Sequence, residues 1–440
     1  MSVSPLYQLK ARTASELSGA VERLIAEGRL PVGGLLPPVR DLAAGLDLSP
    51  TTVAAAYRAL AHRGLVRGAG RRGTLVAANP ALPIAAEPPV PSGVVDLTRG
   101  NPDPALLPAL RPHLRRIADG TKAYGEPATL PALADAARAS FRAEGVPADR
   151  VIAVSGALDG VERVLGAWLR PGDRVAAEDP GYPPAADLLG AMDLRVTAMR
   201  MDEFGVLPDA LQGAVARGCQ AVLFTPRAQA PTGAAWDQAR AGELSEVLTT
   251  RPDVLVVEDD HAGPVSGVAA RSVVGGSRRW ATIRSVSKSL GPDLRLAVLA
   301  GDAVTVSRVE GRQALGTGWV SFLLQETVAE LWEDPAAGRL VARAAAAYAE
   351  RRGSLVDALA RRGVPATGRS GLGVWVPVPD EPAITTALLQ RGWAVGPGER
   401  FRIAAPPGIR IGIGTLTEPE ASRLAADIAD CLAPRARRTD

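Results

Sequence analysis

The stretch Ile283-Arg-Ser-Val-Ser-Lys288-Ser-Leu-Gly-Pro-Asp-Leu-Arg295 decides how the rest of the chain is read. Across 440 residues the only lysines are Lys10, Lys122 and Lys288, against forty-seven arginines. A chain that takes its positive charge from arginine has no electrostatic need for lysine. Arginine stays protonated in proteins, whereas lysine can lose its proton and act as an amine nucleophile. Lys288 lies between Ser287 and Ser289, after an Ile-x-x-Val run that reads as a short strand, and Arg295 follows. A Schiff-base lysine beside hydroxyls and an arginine suited to a phosphate is the set that pyridoxal 5'-phosphate (PLP) requires.

The length exceeds one ordinary core and suggests about two or three domains. Hydrophobic residues make up 47% and charged residues 22%, the balance of a soluble globular protein. No run of eighteen apolar residues occurs and the N-terminus has no signal-like apolar stretch, so the expected location is the cytoplasm. Cys219 and Cys431 lack metal spacing, and His62, His113 and His261 are scattered, so no metal site is expected. Residues 1–76 carry ten Lys/Arg and five Asp/Glu, a net of +5, which leaves −2 for the remainder of a chain whose total is +3. The basic character therefore belongs to the first segment alone, a signal for nucleic acid.

That segment reads as a small helical head. Ser15 is placed to cap a helix reaching about Gly28, with Leu17, Val21, Leu24 and Ile25 on one face. A second helix is expected over residues 39–46, burying Val39, Leu42 and Leu46. Ser49 as N-cap and Pro50 in the first turn begin a third helix that reaches His62. Leu65 to Arg67 and Thr74 to Val76 read as strands around a basic glycine-rich turn. Three short helices and a hairpin make a winged helix-turn-helix, which sets its second motif helix in the major groove and its wing along the backbone. Arg40, Ser49, Thr51, Thr52 and Arg58 would face DNA from the helices, and Arg71, Arg72 and Gly73 from the wing.

The segments Leu6-Tyr-Gln-Leu, Gly28-Arg-Leu-Pro-x-Gly, Leu36-Pro-Pro-x-Arg-x-Leu-Ala, Leu48-Ser-x-Thr-Thr-Val and Gly70-x-x-Gly-Thr resemble the DNA-binding domain of GntR-type bacterial repressors. Two positions depart from it: Pro38 where serine is usual and Pro50 where an arginine is common, each removing one phosphate contact. The head is assigned to residues 1–78. Residues 79–94, with five prolines and no apolar period, read as an extended linker.

From residue 95 to about 435, strand-like runs alternate with helical ones. Val151–Val154, Arg174–Ala177, Ala221–Phe224, Val254–Val257 and Leu296–Leu299 are short and apolar, with helix-length segments such as Leu158–Leu169 between them. This pattern argues for an α/β domain with a mostly parallel sheet, helices on both faces and ligands at the carboxyl ends of the strands. Ser155, Gly156 and Ala157 follow a strand and open a helix, offering backbone N–H groups to an anion. Tyr182 could lie on a pyridine ring, and Asp259 could hold a pyridinium N–H through a charge-assisted bond. Ser285, Ser287 and Arg295 would complete a phosphate cup, and Arg410 is suited to fork a substrate or effector carboxylate.

Gly100-Asn-Pro-Asp, Tyr124-Gly-x-Pro, Ser155-Gly-Ala, Glu178-Asp-Pro-x-Tyr, Pro231-Thr-Gly, Glu258-Asp-Asp, Ser285-x-Ser-Lys and Arg410 resemble the fold type I PLP enzymes of the aspartate aminotransferase group. The resemblance implies a small C-terminal α+β subdomain over about 340–435. A GntR-like head on such a domain is similar to the MocR subfamily of transcriptional regulators. It implies an aldimine between PLP and Lys288, and a role for Tyr124 at the phosphate of a partner subunit, hence a homodimer exchanging its heads head-to-tail. Two positions depart from the aminotransferase pattern. Ala230 replaces the asparagine that bonds the PLP phenolic oxygen, and His261 occupies the place of a tyrosine that does the same. Those bonds tune the reactivity of the bound cofactor. The expected function is therefore a PLP-dependent DNA-binding regulator, sensing PLP or an amino compound at Lys288 with weak or no turnover. The alternative is an active aminotransferase acting on an amino acid.

Overall fold

The computed structural model describes residues 5–62, 64–68, 73–77, 90–117 and 123–433. The chain divides into two compact units, one essentially residues 1–89 and the other from Val90 onward. In the first, helices α1 (Ala14–Ala26), α2 (Val39–Leu46) and α3 (Pro50–His62) combine with β1 (Leu35–Leu36), β2 (Val66–Gly68) and β3 (Thr74–Val76) in a sheet of order β1-β3-β2. Thr13, rather than Ser15, caps α1. Its hydroxyl accepts the Glu16 N–H at 3.2 Å while the Glu16 carboxylate accepts the Arg12 N–H at 2.7 Å. The Thr-x-x-Glu spacing is the sequence signal for this start. Ser49 Oγ accepts the Thr52 N–H at 3.1 Å and so opens α3. Leu17, Val21 and Leu24 of α1, Leu42 of α2 and Val53, Ala56 and Leu60 of α3 form the core, closed by Leu36, Val66 and Val76 from the sheet. Val39, Leu46 and Ile25 only edge this core. Strand β1 adds a third strand to the expected hairpin; two residues are too few to give a periodic signal.

The second unit begins with β4 (Val95–Leu97). Its large sheet comprises β5 (Arg150–Val154), β6 (Arg174–Asp179), β7 (Arg195–Asp202), β8 (Gly205–Val206), β9 (Ala221–Phe224), β10 (Leu255–Asp260), β11 (Trp280–Ser285) and β12 (Ala297–Gly301), in the order β5-β12-β11-β10-β9-β6-β7-β8. The run from β7 through β6, β9 and β10 to β11 is parallel. Strand β12 is antiparallel to both neighbours, β11 and β5. Only residues 286–296 join β11 to β12. That is too short for a helical crossover, so the chain must turn back on itself. Lys288 lies in this reversal. The helix Pro131–Ala143 packs against β5 and β12, and the helix Ala157–Trp168 against β10 and β11.

A smaller sheet has the order β13 (Gly373–Pro377), β15 (Gly408–Gly412), β14 (Trp393–Pro397), β4. Leu97, Trp393, Ile409, Ile411, Leu424 and Ile428 are in its core. Strand β4 comes from the beginning of the domain and pairs in parallel with β14. The first residues after the linker are thus built into the same sheet that carries Arg410 on β15.

Because Leu60 is fully buried in the head, Leu60→Ala should cost about 2–5 kcal/mol there. Hydrogen exchange should show earlier loss of protection over residues 50–62 with no change over 221–224. Equal losses in both places would mean that the head has no core of its own.

Candidate cofactor site and nucleic-acid interface

The carboxyl ends of β5, β6, β9, β10 and β11 open on one side of the large sheet, and the site is built there. Side chains alternate along β10, so Asp259 and Asp260 face opposite ways. Asp260 is fully committed. Arg227 forks it at 2.8 and 2.7 Å, and Arg284, its neighbour on β11, adds a bond at 2.8 Å. Glu144 pairs with both guanidinium groups. Despite burial, these cations hold the Asp260 carboxyl well below the usual range.

Asp259 has the opposite environment. It is 8% exposed, and its Oδ1 is buried without a hydrogen-bond partner among the described residues. Burial first, then the charges of Asp260 and Glu178, push its carboxyl up to about 7. Glu178, at the end of β6, is also pushed up to about 7 by burial, although it accepts the Thr225 N–H at 2.8 Å. A buried, unsatisfied carboxylate in acidic surroundings is suited to a cationic N–H donor.

Lys288 is half-buried, and its Nζ donates to the carbonyl oxygen of Gly100 at 2.5 Å. Burial first, then the nearby Arg410 charge, lower its ammonium to about 8, which makes the neutral amine accessible near neutral pH. Arg410 is 8% exposed, and its Nη1 donates to the carbonyl oxygen of Thr98 at 2.8 Å. Its Nη2 lies 2.3 Å from where a Cβ on Gly100 would be, so a side chain there would have to push the guanidinium aside. Both cations are thereby fastened to one short backbone segment. The role of Thr98 and Gly100 was not legible in sequence, because a backbone carbonyl leaves no side-chain signature. His261 follows β10, and burial together with the Lys288 charge lowers its imidazole to about 4, so it is neutral.

Across the site, the Arg295 guanidinium covers Gly156, with Nη2 only 2.9 Å from where a Cβ would be. Gly156 has φ 102° and precedes the helix that begins at Ala157. The Ser155 N–H is already given to Asp159 Oδ2 at 2.9 Å and the Gly156 N–H to the Val154 carbonyl at 2.9 Å. The expectation that all three amides face an anion is therefore corrected: the helix amides from Ala157 onward are the ones left to do so. Ser285 Oγ donates to Ser287 Oγ at 3.1 Å and accepts the Ser287 N–H at 3.2 Å. Tyr182 is 43% exposed just beyond β6. Tyr124 is 91% exposed and packs edge-on against Trp319, with ring centroids 5.4 Å apart. Ala230 offers only a methyl group. Among the described residues, no group of three His, Cys, Asp or Glu is placed to hold a metal ion.

These residues fit PLP. Asp259 would offer the ring N–H a buried oxygen that has no partner among the described residues, Arg295 beside the helix amides suits the phosphate, and Lys288 would supply the amine. In the head, Arg40, Thr51 and Arg58 are exposed, and Ser49 Oγ bonds Thr51 Oγ1 at 2.7 Å and Thr52 Oγ1 at 2.8 Å. These hydroxyls gather at the N-terminus of α3, the second motif helix, where backbone amides favour a phosphate. Gly73, with φ 93°, enters β3. Arg71, Arg72 and residues 79–89 of the linker lie outside the described residues.

Asp259 gives a pH-dependent prediction. A carboxyl raised to about 7 in the folded state contributes stability that is fully present below about pH 4 and lost as pH rises through 7. Asp259→Asn removes this decline. The ligand-free variant should therefore gain in thermal midpoint over the parent between pH 5 and pH 8, while losing affinity for PLP by about tenfold or more. Parallel pH curves for the two proteins would refute the assignment.

The aminotransferase class I and II family profile matches residues 92–428, and the profile of bacterial regulatory proteins of the gntR family matches residues 13–76. The chain is 37% identical over 428 residues to the vitamin B6 salvage pathway transcriptional repressor PtsJ of Salmonella typhimurium, covering 96% of this chain and 99% of that protein. It is 28% identical over 426 residues to the HTH-type transcriptional regulator TauR of Rhodobacter capsulatus, covering 86% and 87%. Among solved structures, the kynurenine aminotransferase of Pyrococcus horikoshii shares the fold with a TM-score of 0.70 at 21% identity, over 78% of this chain and 91% of that one. No helix of the described residues is long and apolar enough to cross a membrane. With a gntR-type head, an aminotransferase domain and a full-length regulator as relative, the chain belongs to the MocR-type transcriptional regulators of the GntR family.

Proposed function

We propose that this DNA-binding regulator senses PLP, or an amino compound acting with it, through release of the segment Thr98–Gly100. One observation carries the reading: Lys288 and Arg410, the site's amine and its suited carboxylate partner, are both bonded to carbonyls of that segment. The same segment continues β4, the first strand after the linker from the head.

When bound, PLP supplies an aldehyde that condenses with a primary amine. Lys288 provides that amine at neutral pH because its proton is already weakly held. Asp259 would hold the proton of the ring nitrogen, and the Arg295 guanidinium with the amides from Ala157 onward would orient the phosphate. A carboxylate on an incoming amine competes with the neutral Thr98 carbonyl for Arg410, and the charge-assisted bond is the stronger. Engagement of Lys288 likewise frees the Gly100 carbonyl. A ligand shifts an equilibrium only by its difference in affinity between two states, and these two exchanged bonds supply such a difference. The similarity to PtsJ, a transcriptional repressor of the vitamin B6 salvage pathway, supports a B6 compound as effector and repression as outcome. The exposed Tyr124, with Leu323 61% and Leu315 91% exposed, supports a homodimer in which Tyr124 meets the partner, and DNA as ligand supports the cytoplasm. The roles of Arg40, Ser49, Thr51, Thr52, Arg58 and the wing at DNA belong to the same reading.

An aminotransferase reading uses the same Lys288, Asp259 and Arg410. Against efficient turnover stand the methyl group of Ala230, which removes a hydrogen-bond donor that the enzymes place there, and His261, whose imidazole replaces a tyrosine hydroxyl. Absorbance separates the readings. The parent protein with PLP should show a band near ~420 nm that Lys288→Ala lacks. Amino acids should then change that band, and the protein's affinity for DNA, without accumulation of keto acid. Catalytic keto-acid production would favour the enzyme. Absence of any band in the parent would remove Lys288 from the account.

A further inference from the structure

The end of β6 carries a second carboxylate that the cofactor reading does not use. Asp179 is 5% exposed. Its Oδ1 accepts the N–H of Ile403 at 2.7 Å, and its Oδ2 accepts those of Ala404 at 2.8 Å and Ala405 at 2.9 Å. Three consecutive amides converging on one carboxylate form an anion-binding nest, here filled from another part of the fold. The adjacent Gly181 N–H donates to the Phe401 carbonyl at 2.6 Å, so the contact has two anchors. The loop they hold, residues 401–407, is the last part of the connection from β14 to β15 and leads directly into the strand of Arg410.

The loop's own shape is fixed by a different carboxylate. Glu381 Oε1 accepts Arg402 Nε at 2.9 Å and the Gly408 N–H at 2.9 Å, both within the smaller sheet and its helices. Glu381 therefore shapes the loop, and Asp179 docks it on the large sheet. The same corner reaches a third part of the site: the Pro180 carbonyl accepts Gln229 Nε2 at 2.8 Å, and Gln229 Oε1 accepts the Thr232 N–H at 3.1 Å and its hydroxyl at 2.6 Å. Tyr182 lies three residues beyond Asp179 in the chain, and Glu178, whose charge acts on Asp259, immediately precedes it.

We propose that Asp179 is a positioning residue that sets ligand specificity: by docking the 401–407 loop on the end of β6, it fixes the distance between Arg410 on the small sheet and the cofactor-facing groups of the large sheet. This rests on the reading of Arg410 as the partner of an effector carboxylate. Without the clamp, Arg410 keeps its strand but loses its fixed span to Lys288 and Asp259. Misplacement of about an ångström is enough to remove a large part of an orienting contact. An amine that carries no carboxylate makes no demand on Arg410 and should be unaffected.

The test uses the full-length, PLP-loaded chain and the variant Asp179→Asn, which keeps the volume but cannot serve all three amides. Binding is read from the cofactor absorbance for amino acids paired with their decarboxylated amines: alanine with ethylamine, phenylalanine with phenethylamine. The parent should prefer the carboxylated member of each pair. In the variant that preference should fall by about tenfold or more, with the amine affinities and PLP binding within about twofold of the parent. Hydrogen exchange over residues 401–407 should rise, while that over 221–224 stays the same. A variant that keeps the parent's preference overturns the role of Asp179 and leaves Arg410 as carboxylate partner. A parent with no preference overturns the Arg410 reading and the Asp179 proposal with it. Equal loss of both ligand classes would make Asp179 structural and overturn its role in specificity.

Discussion

Two cations share one half-buried site, and the arrangement around them depends on how that repulsion is met. Burial first, and then the Arg410 charge that cannot be given up, leave Lys288 holding its proton weakly. Each is compensated by a backbone carbonyl, Gly100 for Lys288 and Thr98 for Arg410. Neutral carbonyls are weaker partners than anions, so a carboxylate can compete with them.

The acidic side of the site has the matching property. Of the two adjacent aspartates on β10, Asp260 is locked between Arg227 and Arg284, whereas Asp259 faces the other way with an oxygen that finds no partner among the described residues. The strand's alternation commits one carboxylate to structure and turns its neighbour toward the other face, where the proposed cofactor site lies. Burying an unsatisfied carboxylate costs stability, and a ring N–H recovers it. Preorganisation for the cofactor is thus stored as an unmet bond on Asp259 and a weakly held proton on Lys288.

Much of this was legible in the sequence because it is written in side chains. Three lysines among fifty basic residues single out Lys288, and the strand ends carrying Asp259 and Tyr182 follow from apolar runs bounded by acidic and proline-rich turns. The head's third helix and its Ser49 cap were read from capping chemistry. What escaped reading has a physical reason in each case. Thr13 displaced Ser15 as cap because it lies three residues before Glu16. Strand β12 turned antiparallel because its connection is too short for a crossover, although its apolar run looks like any other buried strand. Strands β1 and β4 are too short to show a period, yet β4 ties the start of the domain to the sheet of Arg410. Backbone acceptors and donors, such as the Gly100 carbonyl and the amides of Ile403, Ala404 and Ala405, leave no trace in composition or spacing.

On the proposed reading, occupation of the site is communicated through the segment after the linker. Hydrogen exchange across residues 95–103 of the full-length protein tests it most directly, comparing the PLP-free chain with the chain loaded with PLP and then with a carboxylated amine. Protection there should change on loading and change again with the amine, and a Lys288→Ala protein should show neither step. Unaltered exchange in this segment, accompanied by a clear change in DNA affinity, would contradict the account and place the signal elsewhere in the chain.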